Sequence, residues 1–187
     1  MAISRGTEIP TIDVNLVTIE PQDSENELAL DTASRIAVAV QTETVDAVKL
    51  VIKGVLKAQK PETTTITGNE ITLTDNVFTP ELVKILQGGE ITYSEDEPTR
   101  VIGYRPPVAG SNERGQVFTL NAYSAQYDAS GQIVQYEKIS YPNCQGKPVA
   151  LNSEDGVFRA TDYTIISAPR TGEAPYEISY VDELPVV

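Results

Sequence analysis

Short segments in which apolar residues occupy every second position recur along this chain, and they constrain its fold more than any other feature. In residues 34–41, the apolar residues Ile36, Val38 and Val40 alternate with the other positions. Residues two apart lie on the same face of a strand, so this spacing predicts a strand with one buried face. Segments of this kind separated by turn residues are typical of a mainly β protein.

Further strands are predicted around residues 45–56, 71–73, 91–93, 116–127, 132–141, 158–167 and 176–181, about eight strands in all, and residues 12–19 could also form a strand. The segment from Val45 also fits helical spacing. We favour a strand because β-branched residues crowd it and Gly54 interrupts it. The Gly68-Asn69 pair predicts a turn.

One segment breaks the β pattern and predicts a short helix at about 80–87. Thr79 can serve as the N-cap, Pro80 occupies the first helical position, Glu81 lies in the first turn, and Gly88 follows the last helical residue. These residues favour a helix start and stop at those places.

The clearest hairpin joins residues 116–127 and 132–141 through the turn 128–131. A pairing of Tyr127 with Gln132 places apolar residues at the open end and polar residues at the tip of one face. Tyr123, Tyr127 and Tyr136 share the other face. They could pack against a neighbouring subunit, stack on a ligand or pack across the strands of one subunit.

Two connections are candidates for contacts between subunits. The first 30 residues are interpreted as an N-terminal arm or loop region, because the segment 20–27 carries four acids and a proline and has no apolar face. It is either a solvated loop or an ordered contact. The long segment 104–115 is restricted by Pro106-Pro107, which favours an ordered contact loop over a floppy one.

Composition excludes several functions for this chain of 187 residues, for which one domain is expected. It has 14 Lys+Arg against 27 Asp+Glu, a formal net charge of −13, which disfavours tight binding of nucleic acid or anionic lipid. No apolar run approaches the roughly 18 residues of a membrane helix, and the N-terminus resembles no signal peptide. We therefore expect a soluble protein without an export signal.

The sequence contains no catalytic or cofactor motif, and neither a cofactor nor a metal site is expected. The absence of His removes the usual general base and the commonest metal ligand. The single Cys144 can form no internal disulfide and is interpreted as a half-buried small hydrophobic residue. A pair of carboxylates for glycoside hydrolysis can be imagined anywhere among 27 acids, so it has no specificity.

The order of these elements resembles the major tail (tail tube) proteins of phages of Gram-positive bacteria and related phage-like particles. The likeness rests on the phrases Leu73 to Gly89, Phe118 to Gly131 and Tyr136 to Cys144, and it spans about 45–184. It implies a β-sandwich or small barrel with one flanking helix. It also implies hexameric rings of this chain, stacked into a hollow tube through which the genome leaves the capsid.

The resemblance further implies a non-enzymatic virion protein of the phage tail, assembled in the host bacterial cytoplasm. Its implied partners are further copies of itself and the tape measure, baseplate or tail-tip and tail terminator proteins. DNA would pass through without specific binding, and no membrane is involved.

Candidate residues for the lumen are acids and amides near the hairpin tips, each of which could equally be ordinary solvated surface: Gln41, Glu43, Asp46, Gln126, Gln135 and Glu137. Candidates for contacts between subunits or rings, besides the segments 20–27 and 182–187, are Arg105, Pro106, Pro107, Asn112, Arg114, Tyr123, Tyr127 and Tyr136. The rival hypotheses are a secreted β-sandwich binding module and a His-free hydrolase.

Overall fold

Twelve strands and one helix are formed by the residues that the structure, a computed structural model, describes: 8–24 and 26–186. They are β1 (Thr11–Pro21), β2 (Leu28–Leu30), β3 (Ala33–Val45), β4 (Val48–Ile52), β5 (Val55–Lys60), β6 (Thr63–Asp75), α1 (Pro80–Gln87), β7 (Glu90–Tyr93), β8 (Val101–Arg105), β9 (Phe118–Tyr127), β10 (Ile133–Gly146), β11 (Thr161–Ser167) and β12 (Glu177–Val181). The prediction of a mainly β protein is confirmed.

Eight of these strands form one antiparallel sheet in the order β2-β1-β9-β10-β11-β6-β3, with β12 also paired to β10. The long strand β10 has two neighbours on one side, since β12 pairs with its residues 136–140 and β11 with residues 144–146. The other four strands form two separate two-stranded units, β4-β5 and β7-β8. The number of strands therefore exceeds the predicted eight.

The sheet curls, because the strands at its two ends are consecutive in the chain. Only Asp31 and Thr32 connect β2 to β3, and such a link spans at most about 11 Å. The Thr32 hydroxyl donates a hydrogen bond to the carboxylate of Asp75 (2.6 Å), which fastens this link to β6. Because β2 and β3 do not pair, the described strands form a β-sandwich with one helix, as predicted, without closing into a barrel.

The core lies inside this curl. Alternate residues of the central strands are fully buried, among them Ile19, Ile71, Phe118 and Tyr163. This burial of every second residue is the period of two that the sequence shows. The core is therefore supplied mainly by β1 and β9 on one side of β10 and by β11 and β6 on the other.

Helix α1 covers one side of the core, as predicted. Leu82, Val83 and Leu86 are buried, and the helix ends where Gly88 adopts a positive φ of 84°. Thr79 precedes the helix in an extended conformation, but its side chain makes no capping hydrogen bond. No helix in the described part of the chain is long and apolar enough to cross a membrane.

Much of the N-terminal segment is part of the sheet. The interpretation of residues 1–30 as an arm or loop region is therefore wrong for β1 and β2. β1 lies between β2 and β9, and Val17 and Ile19 are fully buried. Glu20 lies at the end of β1, and Asp23 and Glu27 lie in the connection to β2. The strand expected around residues 12–19 is confirmed as β1, while the acidic connection hid β2.

The predicted strands at 34–41 and 45–56 do not pair with each other as a hairpin. Strand β3 ends at Val45 and pairs along its length with β6, from Ala33–Asp75 to Val45–Thr63. Residues 48–60 form their own hairpin, β4-β5, inserted at the tip of this pair. Residues around Val45 do form strands, as predicted. Gly54 lies in the turn between β4 and β5 and does not interrupt a single strand.

Gly68 and Asn69 lie inside β6 and do not form the predicted turn. A Cβ atom on Gly68 would come within 2.6 Å of the backbone oxygen of Ser167, so glycine is needed here for close packing of β6 against β11. The register of β3 against β6 shifts next to this residue. A glycine at a bulge was mistaken for a glycine in a turn.

The hairpin of β9 and β10 is confirmed, with a register two residues from the one expected. Tyr127 pairs with Ile133 instead of Gln132, and a bulge between Ile133 and Gln135 adds a second residue, so that Gln126 pairs with Gln135 and Ser124 with Glu137. A shift of two residues keeps each side chain on its face. The turn is stabilised by the Asp128 carboxylate, which accepts hydrogen bonds from two backbone N–H groups and from the Ser130 hydroxyl.

Candidate assembly surfaces

Several strand edges have no partner within the described part of the chain. No described strand pairs with the outer edge of β3, and β12 is paired on one side alone. Short β2 forms the opposite end of the sheet. Natural proteins usually cover or charge such edges, because unpaired backbone groups pair with other chains. β3 is 13 residues long and has Val38, Val40 and Val45 exposed, so its edge is a candidate pairing site.

Residues 48–60, which we call the projecting hairpin, are exposed at every position. Val48, Leu50 and Ile52 lie on one face, where their partners are Lys60, Ala58 and Val55. The sequence therefore places a stripe of apolar side chains on a two-stranded unit that covers none of them.

A tight turn builds the projecting hairpin. Lys53 and Gly54 both have positive φ values, 51° and 80°. Two residues with positive φ are the signature of the type I′ turn, which connects hairpin strands without distorting their twist. The Lys53-Gly54 pair between two apolar runs is the sequence signal for this hairpin, although the strand predicted from Val45 was continued through it.

The charge of the projecting hairpin is opposite to that of the rest of the chain. It contains Lys49, Lys53, Lys57 and Lys60 and no acidic residue. The remainder has 10 Lys+Arg against 27 Asp+Glu, a formal net charge of −17. Within residues 8–24 and 26–186, none of the four lysines forms an ion pair.

Three lumen candidates, Gln41, Glu43 and Asp46, lie together on the β3-β6 pair or directly after it. Gln41 is opposite Gly68, Glu43 is opposite Thr65, and Asp46 follows the end of β3. All three are exposed. They lie before the projecting hairpin instead of at a hairpin tip, since the true tip is formed by Lys53 and Gly54.

The lumen candidates of the second hairpin share one face, as predicted, but they are partly buried. The Gln135 amide donates a hydrogen bond to the Gln126 side-chain oxygen (2.7 Å). Glu137 lies between Ser124 of β9 and Tyr180 of β12. In the sheet order, β11 and β6 lie between these residues and β3, so the two predicted groups do not form one cluster.

Of the three tyrosines on the other face of this hairpin, Tyr123 packs within the subunit, and the other two stay candidates for external contacts. Tyr123 is 3% exposed and packs within the subunit, with the Lys138 ammonium 5.8 Å from its ring centroid. Tyr123 is thus not available as a contact residue on this subunit's surface. Tyr127 and Tyr136 remain partly exposed.

The long loop that contains Arg105, Pro106, Pro107, Asn112 and Arg114 is fastened at its second half. The Glu113 carboxylate accepts a hydrogen bond from the Gly89 N–H (2.9 Å), and the Gln116 N–H donates to the Ile85 carbonyl (2.8 Å). Pro107 is partly buried, and Arg105, Pro106, Asn112 and Arg114 are exposed. The loop is therefore an ordered protrusion beside the end of α1.

The two remaining contact candidates are only partly described. In the segment 20–27, Glu25 lies outside the described residues, while Glu20, Asp23 and Glu27 are exposed. In the tail 182–187, Val187 lies outside the described residues, and Leu184 and Pro185 are partly buried. Acidic groups thus remain at the surface in both segments.

The single thiol is inert by position. Cys144 is fully buried, beyond the half-burial predicted, and burial raises the pKa of its thiol to about 12. A thiol this basic is almost entirely protonated at neutral pH and is a poor nucleophile. In the described part of the chain, no group of three or more Cys, Asp or Glu side chains is arranged to hold a metal ion.

An open groove of about 310 Å³, which we call the β2–α1 groove, lies beside the end of the sheet. Leu28 of β2, Ile85 of α1 and Ile91 of β7 supply its apolar lining. Glu27 and Glu81 supply carboxylates at its side. It was not predicted, because its residues come from three segments that are far apart in the sequence.

Comparisons with known proteins leave the family open. No family model and no curated protein matches this chain. Among solved structures, a chain of the anti-feeding prophage baseplate, a six-fold symmetrised cryo-EM structure, aligns with 97% of this chain and 98% of its own length. The identity is 7% and the TM-score is 0.38. At that score the likeness supports no conclusion about fold or function.

Proposed function

We propose that this chain is a structural subunit of a phage or phage-like tail tube. Six copies would form a ring, and rings would stack into a hollow acidic conduit for genome delivery. The observation that carries the proposal is the projecting hairpin, whose apolar stripe is exposed in the isolated subunit. The resemblance of the sequence to tail tube proteins supplies the kind of assembly.

The exposed surfaces fit a subunit that is completed by its neighbours. An isolated two-stranded hairpin is at best marginally stable in water, and an exposed strand edge invites pairing. The chain has both, in the projecting hairpin and in the outer edge of β3. Packing against other copies would bury the apolar side chains and pair the backbone groups.

The charge fits a conduit for DNA. Six copies at −13 each carry a formal −78 per ring. Acidic groups that face a lumen repel phosphate, so the duplex would slide without binding. Glu43 and Asp46 are the best placed candidates for such groups, because both are exposed on the β3-β6 pair.

The size of a ring built from these strands is also suitable. If each of six subunits gave the strand pairs β3-β6 and β9-β10 to an inner wall, that wall would have roughly 24 strands. At about 4.8 Å per strand and a tilt of up to about 45°, its backbone diameter would be roughly 37–52 Å. A DNA duplex fits inside such a wall after inward side chains are allowed for.

The proposal assigns no catalytic role to the chain. Its partners would be copies of itself and the tape measure, baseplate or tail-tip and tail terminator proteins. It would be assembled in the cytoplasm of the host bacterium and end in the virion tail.

Negative-stain electron microscopy of the purified chain over a range of concentrations tests the proposal. Hollow rings or filaments with a central channel are the expected result. Discrete single subunits at the highest concentration would contradict it and favour a β-sandwich binding module instead. Assemblies without a channel would contradict the conduit.

A further inference from the structure

We infer that the projecting hairpin of one copy of this chain lies in the β2–α1 groove of a second copy. The contact would combine apolar packing with pairs between hairpin lysines and groove carboxylates. The inference rests on the proposed self-assembly and names the two surfaces that perform it.

The hairpin needs a partner that its own chain does not provide. Its strands β4 and β5 pair only with each other among the described strands. Leu50, Ile52 and Val55 each expose about half of their side-chain surface. Covering an apolar stripe of this length is favourable in proportion to the area removed from water.

The groove offers what such a hairpin lacks. Its lining contains the apolar side chains of Leu28, Ile85, Ile91 and Tyr93. It also adjoins the start of β2 at Leu28, and β2 is the end strand of the sheet, where one row of backbone N–H and C=O groups has no described partner. A strand of a second chain laid along this edge would pair with those groups, a common mode of recognition.

The charges of the two surfaces are complementary. Glu27 and Glu81 lie in the groove, and Asp23 and Glu90 are exposed on the segments that flank it. Lys84 is the only cation among the described lining residues. Opposite charges arranged in this way steer association and fix the orientation of docking.

The same charges favour a second copy over other anionic partners. Four lysines alone would attract a DNA duplex or an anionic membrane. The rest of the chain, at a formal −17, is repelled from both. A second copy provides acids and an apolar groove together, which neither of the other partners does.

Charge reversal on each surface tests the contact. The hairpin variant is Lys53→Glu with Lys57→Glu, the groove variant is Glu27→Lys with Glu81→Lys, and the third protein combines all four. Sedimentation velocity measures the concentration at which each protein assembles. We expect each double reversal to raise that concentration about tenfold or more, and the combined protein to recover most of the loss.

A matched control separates this contact from a general effect of net charge. Arg159→Glu with Arg170→Glu changes the charge as much as the hairpin variant does, on exposed residues that neither belong to the hairpin nor line the groove. The concentration at which this control assembles should lie within about threefold of that of the natural chain, because surface charges distant from an interface contribute little to its stability. Thermal melting of dilute samples establishes that every variant is folded.

Disulfide trapping gives an independent test of proximity. Lys57→Cys mixed with Glu81→Cys should form linked dimers under mild oxidation, while Lys57→Cys mixed with Arg170→Cys should not. The natural Cys144 is buried and does not interfere. Equal trapping in both mixtures would overturn the assignment of the groove.

The outcomes separate this inference from the proposed function. If the natural chain forms channelled assemblies and the hairpin reversal assembles equally well, the inference is wrong and the tail tube proposal stands. If the hairpin of single subunits binds duplex DNA or anionic vesicles instead, the assigned partner is wrong. If the natural chain never assembles, both fail.

Discussion

The two halves of the β3-β6 pair have similar sequences and opposite surroundings. In the first half, which contains residues 69–75 of β6, Ile71 and Leu73 are fully buried, and β6 pairs there with β11. In the second half, which contains residues 63–67 of β6, Ile66 is about half exposed, and so is Val45 at the end of β3. Both halves are rich in β-branched residues, yet only one lies over the core.

The difference shows that β-forming residues extend well past the core of this subunit. A strand needs a pleated, half-buried surface to benefit from such residues. The core provides it for residues 69–75 of β6, while residues 63–67 and the projecting hairpin lack it. Under the proposed assembly, other copies of the chain would bury this second half.

A matched pair of leucine substitutions compares the two regions directly. Leu73→Ala removes a fully buried side chain and should lower the free energy of unfolding by about 2–5 kcal/mol. Leu56→Ala, on the projecting hairpin, should change it by about 0.5 kcal/mol or less at concentrations where the chain is a single subunit. Urea denaturation monitored by circular dichroism measures both.

A measurement of assembly sharpens the comparison. Leu50→Ala, which shortens a side chain of the exposed apolar stripe, should raise the concentration required for assembly although it leaves the subunit stable. A loss of stability from Leu56→Ala as large as from Leu73→Ala would mean that the hairpin is part of the subunit core.

A smaller effect is expected where a strand packs tightly against helix α1. A Cβ atom at Gly146 would lie 2.4 Å from a Leu86 side-chain atom and 2.5 Å from its Cα, so the helix must move. Gly146→Ala should therefore cost about 1–3 kcal/mol of unfolding free energy through overpacking.

The control for Gly146 is Gly103→Ala on β8, where the nearest side-chain atom is 3.9 Å from the added Cβ. That distance is an ordinary contact, so the change in the melting temperature should be small. Equal destabilisation by the two substitutions would indicate that α1 is not packed as described.

The smallest effect is expected at the tip of the β9-β10 hairpin. The hydrogen bond from the Ser130 side chain, with those from nearby backbone N–H groups, lowers the pKa of Asp128 below its ordinary 3.8. The charged carboxylate therefore stabilises the folded state above pH 3.8, and this contribution is lost as the pH falls through the lowered pKa.

Asp128→Asn removes the charge but keeps an acceptor for the turn. Its melting temperature should be slightly below that of the natural chain at pH 6, and the difference should shrink as the pH falls below 3.8. A difference that grows with falling pH would mean that the carboxylate is not stabilised in the folded state.

The sequence predicts those parts of the fold that local patterns determine. Helix α1 is recognised from Pro80 and Gly88, and the β9-β10 hairpin from its turn, because each signal lies within a few residues of the element. The role of Gly68 is not recognisable, since the close approach of Ser167 comes from 99 positions away in the chain. Strand β2 is likewise obscured by the acidic segment that precedes it.

The candidate surfaces were predicted less well. Glu43 and Asp46 were expected at the surface from their places in the strand pattern, and both are exposed. Tyr123 was expected to be a contact candidate, but it is buried on β9, which lies between β1 and β10. The spacing of four lysines in residues 48–60 was visible in the sequence and indicated a basic segment in an acidic chain. The β2–α1 groove required the structure.

Amide hydrogen exchange of residues 48–67 at increasing protein concentration tests the central claim most directly. The account predicts rapid exchange in the projecting hairpin of dilute single subunits and strong protection once assemblies form, while residues 69–75 are protected throughout. Protection of residues 48–60 in single subunits, or continued rapid exchange in assemblies, would contradict the claim that other copies complete this subunit.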